Sequence, residues 1–338
     1  WQTFDRFRQG NTSGYREHLA QLRSTMHALY QLLVAPLTNL PTRLVIIPDG
    51  PLHGLGFDHL LTAMPEPGTA VASCPWLVQD HAISYALSLS TWLEMAKTKP
   101  PGNRVVAIKP DFSHHSYASL PDSEAALGSI GKQFKLHSLD NRQATVSQLE
   151  AQSGAAIIQF VTHAVLHDSI GDLSFIVMGK EDGSLDSLEV HQVYSMDFPG
   201  TFFYIPNCDT HRGEYVQGEG VLSLARAFAY AGASGMVAGL WPVPDRSSGI
   251  IATHFYENMH KRMPKDVAFR DAKLTYLAQS TDDIDAHPYQ WGSLVLVGNT
   301  VPVQGRNTWL TGLAALFLLF AGTIAVQQQR AQRTVKAA

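Results

Sequence analysis

Two apolar runs in the second half of the chain stop at residues capable of nucleophilic chemistry. Ile157-Ile158-Gln159-Phe160-Val161-Thr162 leads into His163, and Thr201-Phe202-Phe203-Tyr204-Ile205-Pro206-Asn207 leads into Cys208. Each run has the length of one buried strand. In an open α/β sheet, ligands bind beyond the carboxyl ends of the strands, so two neighbouring strands ending in His and Cys put a thiol beside its proton partner. A thiolate there attacks a carbonyl carbon, while the imidazole keeps the thiol ionised and protonates the leaving amine. The backbone N–H groups of Cys208 and of Ala164 are the expected oxyanion donors. On residue types alone, a structural cysteine with a surface histidine competes with this reading, because one His among 15 and one Cys among 2 also align by chance.

The elements that must position the pair alternate between strand and helix. Apolar runs predict strands over 43–48, 81–87, 104–109, 134–139, 156–163, 173–178, 201–206, 235–241 and 292–298. Helical spacing predicts helices over 15–35, 88–97, 121–132, 145–152, 219–232, 246–262 and 264–279. Such alternation points to a mostly parallel sheet with helices on both faces. Pro100-Pro101-Gly102 and the polar stretch 110–119 are the internal boundaries. His53, His59, His114 and His115 fall in loops and are expected to be solvated.

Length and charge limit the alternatives. A chain of 338 residues is long enough for a well-buried core, and 45% hydrophobic with 16% charged residues is ordinary for a globular protein. A net charge of -4 gives no basic footprint for nucleic acid. Cys74 and Cys208 are too few for a disulfide framework. His163, His167, Cys208 and His211 have ligand types that suit zinc, but His-x3-His serves a metal only on a helix, and this segment reads as strand and loop. No metal and no cofactor are expected. Gly218-Glu219-Gly220 lacks the third glycine of a dinucleotide loop and reads as a tight turn or a cleft wall.

The two ends of the chain read differently. Trp1 is not an initiator Met, and the helix over 15–34 presents Leu19, Leu22, Met26 and Leu29 on one face, as if its partner lay upstream. At the other end, Trp309 to Val326 runs about eighteen residues without a charge, the length for crossing a hydrocarbon core of about 30 Å. Arg330, Arg333 and Lys336 after it, against Arg306 before it, place the tail on the cytoplasmic side by the positive-inside tendency. A catalytic domain made and kept in the cytoplasm requires the opposite orientation, and the sequence leaves both open.

Ordered blocks along the chain resemble the CHAT family, caspase-like domains often attached to tetratricopeptide repeats and related to caspases and separases. Leu44-Val45-Ile46-Ile47-Pro48-Asp49-Gly50 is similar to the family's early strand and turn, and Tyr85-Ala86-Leu87-Ser88 to the block after it. Leu120-Pro121-Asp122-Ser123-Glu124 resembles the middle block, Phe160-Val161-Thr162-His163 the histidine strand, and Asn207-Cys208-Asp209-Thr210 the cysteine motif. Gly218-Glu219-Gly220, Leu224-Ala225-Arg226-Ala227-Phe228, Gly239-Leu240-Trp241-Pro242-Val243-Pro244-Asp245 and His287-Pro288-Tyr289-Gln290-Trp291-Gly292 continue in order, and the match covers roughly residues 15 to 300. Two positions depart from the pattern. Ala164 stands where the family usually has Gly, and Pro206-Asn207 where it has Ser-Ala. Ala164 strains the turn if that position needs a positive φ and is harmless if it does not.

The resemblance implies an α/β fold with a caspase-like, mostly parallel sheet and helices on both faces, to which the sequence adds a C-terminal transmembrane helix. It divides the chain into an N-terminal helical segment (1–40), an N-terminal, pseudo-caspase-like part of the CHAT domain (41–110), a catalytic part (111–303), a transmembrane helix (307–329) and a basic tail (330–338). The implied function is a caspase-like cysteine endopeptidase with a His163–Cys208 dyad. Its expected partners are a protein or peptide substrate, the membrane, and a regulatory tetratricopeptide-repeat or other protein module, with no nucleic acid bound directly. Membrane anchoring with the catalytic domain in the cytoplasm is the expected location, and bacterial defence or cell-death signalling the expected setting. Asp209, Glu219, Trp241 and Asp245 are the candidates for substrate binding, the carboxylates suiting a basic side chain. The non-enzymatic alternative is a catalytically inactive scaffold or binding module at the membrane.

Overall fold

The computed structural model describes residues 7, 13–165, 167, 173–206, 208–209 and 219–303, with the backbone only at 208–209 and 219–222. The expected membrane helix and basic tail lie outside these residues. Among the described residues, no helix is long and apolar enough to cross a membrane.

Among the described residues, twelve strands form two sheets. The large sheet is built from β1 (Arg43–Ile46), β2 (Ala82–Tyr85), β3 (Arg104–Lys109), β4 (Lys135–Asp140), β5 (Ile157–Phe160), β9 (Phe202–Ile205), β11 (Gly235–Gly239) and β12 (Leu294–Gly298). Their order is β1-β2-β12-β11-β9-β5-β3-β4, and every neighbouring pair is parallel except β11–β12. The sheet is therefore two parallel blocks of opposite direction joined at one antiparallel seam. It also runs across the expected boundary near residue 110, because β12 inserts between β2 and β11. The small sheet has the order β10-β6-β7-β8, from β6 (Ala164–Val165), β7 (Phe175–Gly179), β8 (Leu185–Glu189) and β10 (Cys208–Asp209).

The helices are α1 (Tyr15–Leu33), α2 (Leu89–Lys97), α3 (Pro121–Gln133), α4 (Val146–Glu150), α5 (Val190–Val193), α6 (Glu219–Tyr230), α7 (Asp245–His260), α8 (Lys265–Gln279) and α9 (Pro288–Trp291). Their placement follows from the period of two along β9. Phe203 packs on Phe228 of α6 and on Phe198, with ring centroids 4.1 and 5.2 Å apart. Its neighbours Phe202 and Tyr204 point to the other face and meet Phe255 of α7 at 6.1 and 6.0 Å. The strand is thus buried on both faces by aromatic layers, as a central parallel strand must be. Truncating Phe203 to Ala would cost about 3–5 kcal/mol by the usual cavity penalty.

Two expectations need correction, one on polar burial and one on a strand. The segment around His59 is not a solvated loop: Phe57–His59 forms one 3-10 turn, with Asp58 and His59 4% and 1% exposed. Asp58 lies 3.3 Å from the Lys273 ammonium of α8, and both are buried. Burial, with the nearby Lys273 charge, pushes the His59 imidazole down to about 3, so the ring is neutral at any ordinary pH. The expected strand over 156–163 is also interrupted, ending at Phe160 and resuming as β6 at Ala164.

Lys265, at the start of α8, is buried as well. Its Nζ donates to Asn299 Oδ1 at 2.7 Å and to the Val301 carbonyl at 2.9 Å, and lies 5.0 Å from the centre of the Phe202 ring. Burial lowers its pKa from 10.5 to about 7, against a smaller opposing effect of Asp266. The unfolded chain therefore binds more protons than the folded one between about pH 7 and 10.5, so this group makes folding more favourable as pH rises through that window. Urea unfolding at pH 7 and pH 9.5 should show a rise in stability that Lys265→Met removes; an unchanged pH dependence in the variant would refute the assignment.

Candidate active site

The two strand ends are neighbours. β5 and β9 pair in parallel with Ile157 opposite Phe202, Ile158 opposite Phe203 and Gln159 opposite Tyr204. Beyond them the chain pairs again as β6 and β10, also parallel, with Cys208 opposite Ala164 and Asp209 opposite Val165. The two registers differ by one residue. From Gln159 to Ala164 the histidine strand takes one step more than the cysteine strand takes from Tyr204 to Cys208, so an extra residue is accommodated between them, as in a bulge. Cys208 therefore stands opposite the residue after His163. The Thr162 hydroxyl donates to the Val177 carbonyl at 2.7 Å, and the Val177 N–H donates to the His163 carbonyl at 2.8 Å, fixing this stretch on β7.

The His163 ring is 8% exposed and is held by the loop between β3 and α3. Its Nε2 lies 2.8 Å from the Ala118 carbonyl oxygen. That oxygen can only accept, so Nε2 carries the hydrogen, and in the neutral ring Nδ1 holds the lone pair. Tyr117 stacks on the ring at 5.2 Å and 29°, and Phe112 meets it edge-on at 5.1 Å and 71°. A carbonyl and two aromatic faces thus define both the tautomer and the plane of the imidazole. Ala118 has no sequence signal of its own, since a backbone acceptor carries no side-chain signature. Phe112 and Tyr117, two aromatics in the polar stretch 110–119, were the available signal.

Ala164 is fully buried in extended β6 and is not among the non-glycine residues with positive φ. The departure from Gly is therefore without conformational strain. Because the Val177 N–H bonds the carbonyl of His163, Ala164 and its partner Ile176 form a non-hydrogen-bonded pair of the antiparallel ladder. The Ala164 N–H accordingly points away from β7 and toward the strand carrying Cys208. β10 pairs along that same edge, so the N–H serves a substrate only where the ladder does not take it.

The remaining candidates are dispersed. The backbone of Asp209 follows Cys208 in β10, and Glu219 begins α6. Trp241 is 2% exposed, donates from Nε1 to the Tyr289 carbonyl at 3.1 Å, and meets His59 edge-on at 5.7 Å. It borders a cavity of about 340 Å³ between α1 and the 54–59 turn, whose lining does not include His163. Asp245 accepts from the backbone N–H groups of Asp122 at 2.7 Å and Ser123 at 3.1 Å. The backbone N–H of His167 donates to Ser174 Oγ at 3.0 Å. No group of three His, Cys, Asp or Glu suited to a metal occurs among the described residues. Cys74, far from this site in sequence, is a buried free thiol whose Sγ accepts from Arg23 at 3.3 Å and whose pKa is raised by burial.

The described residues form a mostly parallel α/β sheet with a histidine and a cysteine beyond adjacent strands. The CHAT domain model matches residues 23–299, and the chain belongs to the CHAT domain family. Tetratricopeptide repeat protein 28 of Homo sapiens is 33% identical over 93 residues, and its Mus musculus counterpart 30% over 93 residues. Each alignment covers 28% of this chain, which spans only 4% of the length of these curated relatives. Among solved structures, the Saccharomyces cerevisiae separase–securin complex matches with a TM-score of 0.45 and 11% identity, over 69% of this chain and 14% of that one. The Arg-specific cysteine proteinase gingipain R matches with a TM-score of 0.49 and 8% identity, over 84% of this chain and 68% of that one.

The extended backbone at Ala164 makes a specific outcome testable. Ala164→Gly should lower stability by about 1 kcal/mol, through lost burial and a freer unfolded chain, without raising any hydrolytic activity. Thermal melting and a peptide-cleavage assay check it; a several-fold gain in activity would mean that the position demands the freedom of glycine.

Proposed function

We propose that the chain is a caspase-like cysteine endopeptidase in which His163 and Cys208 form the catalytic dyad. The observation that carries the reading is the pairing of the two strand ends, with Cys208 opposite Ala164 and the His163 ring held by the Ala118 carbonyl. Membership of the CHAT family supports it.

The chemistry follows from the tautomer. With Nε2–H committed to Ala118, Nδ1 takes the proton of the Cys208 thiol, and the thiolate attacks the carbonyl carbon of the scissile peptide. The C–S bond forms as the carbonyl electron pair moves onto oxygen, where the Cys208 N–H is a proposed donor, joined by the Ala164 N–H when the β6–β10 ladder releases it. Collapse breaks the C–N bond, and the imidazolium returns its proton to the leaving amine. Water then gives a proton to Nδ1 and attacks the thioester, releasing the acid and restoring the thiol. The imidazolium formed in each half-reaction is stabilised by the Ala118 oxygen and by the Tyr117 face. Asp209, which follows Cys208 in β10, and Glu219, which opens α6, are the acidic groups proposed to favour a basic side chain before the scissile bond.

The repeat proteins among the relatives support a tetratricopeptide-repeat module as the regulatory partner. The apolar stretch Trp309 to Val326 is the proposed tether to a membrane. Cys208→Ala and His163→Ala should each abolish cleavage of a basic-residue peptide library while leaving the circular dichroism spectrum and melting curve of the wild type. Cleavage at wild-type rate by either folded variant would exclude the dyad, as would a loss of wild-type activity to a chelator.

A further inference from the structure

The loop that holds His163 is itself anchored by a residue from a distant part of the chain. α3, which follows the loop, starts with Pro121, and its N-cap residue is Leu120, whose φ of -121° and ψ of 63° carry no capping side chain. A helix needs acceptors for the N–H groups of its second and third residues, and Leu cannot supply one. Here those residues are Asp122 and Ser123, and both N–H groups donate to the Asp245 carboxylate, one to each oxygen, at 2.7 and 3.1 Å. The cap therefore comes from the first residue of α7, where its negative charge also meets the positive end of the α3 dipole. Gly249, one turn further along α7, lets the two helices approach: a Cβ there would lie 2.5 Å from the Asp122 carbonyl oxygen. The start of α3 is thereby fixed to α7, three residues beyond the carbonyl that orients His163.

We propose that Asp245 is a positioning residue for His163: by capping α3 from α7 it fixes the start of that helix, and with it the Ala118 carbonyl and the Tyr117 face on which the imidazole rests. The inference rests on the assignment of His163 as the proton carrier of the dyad, and it gives Asp245 a role other than contact with substrate. The same helix start has a second, more exposed tie to the sheet, since Lys109 at the end of β3 pairs with Glu124 of α3 at 2.7 Å and with Asp140 of β4 at 3.7 Å, and an exposed ion pair holds a backbone weakly. Removing Asp245 thus takes away the carboxylate cap of α3 and leaves its start, with the Ala118 end of the loop, tied to β3 by that exposed pair. The chemistry is sensitive to such an error, because a displacement of about 1 Å at a reacting group costs up to about a hundredfold in rate.

The test compares Asp245→Ala and Asp245→Asn with the wild type in the full chain. Three readouts apply: stability, the kinetics of peptide cleavage, and the ring 15N resonances and titration of His163, identified by their absence in His163→Gln. Asp245→Ala should lower kcat by roughly tenfold to a hundredfold with KM little changed. It should also move the His163 ring signals away from those of an Nε2–H tautomer. Asp245→Asn, which keeps one acceptor oxygen, should recover part of both effects, and it serves alone if the alanine variant does not fold. Unaltered His163 signals in a folded variant would overturn the proposal, whether or not stability falls. A rise in KM confined to basic substrates, with those signals unchanged, would instead make Asp245 a substrate contact. Because the resonances are read without substrate, a wild type that cleaves nothing would defeat the peptidase reading while still deciding this one.

Discussion

The site depends on a single parallel pairing, β5 against β9, and on the register in which it is made. Side chains alternate across a strand, so a slip of one residue would exchange the sets of Phe202 with Tyr204 and of Phe203 between opposite faces. The aromatic layers forbid that exchange: Phe203 is packed under α6 and Phe198, and Phe202 and Tyr204 under α7. The relative position of the two strand ends is therefore inherited from the core rather than set by contacts within the site. The extra residue between Gln159 and Ala164 is a local correction to that inherited geometry.

Placement and orientation are supplied by different parts of the molecule. The sheet delivers His163 to its position, whereas the loop after β3 decides how the ring is turned and which nitrogen carries hydrogen. The division has a physical basis. A strand end fixes the backbone closely, but a side chain with two rotatable bonds keeps several orientations until something outside the strand removes them. A backbone carbonyl and two aromatic rings remove them.

The strands and helices that form the core were legible because apolar runs and 3.6-residue periodicity are local properties. Both ends of the β5–β9 pair were visible for the same reason. What escaped was polar or long-range. Asp58, His59 and Lys273 look like surface residues until their mutual burial is seen, since a charge is hidden only when a partner far away in sequence meets it. β6 and β10 are two residues long, too short for any period, and β8 has a mixed exposure pattern. Asp245 reads as an acidic residue near a cleft, and its capping of α3 is a contact 122 to 123 residues distant in sequence.

The antiparallel seam has a consequence for biosynthesis. β1 and β2 are made before the other strands of the sheet, yet the strand that connects them to the rest is β12, the last one among the described residues. During translation at about 5–20 residues per second, the first two strands wait on the order of ten seconds or more for that neighbour. Until then the edge of β2 is an open template, and the exposed Val45 and Ile47 near β1 add apolar surface to it. The nascent chain thus carries an unsatisfied edge for as long as the segment between β2 and β12 is being made, a period in which a ribosome-associated chaperone has a defined segment to protect.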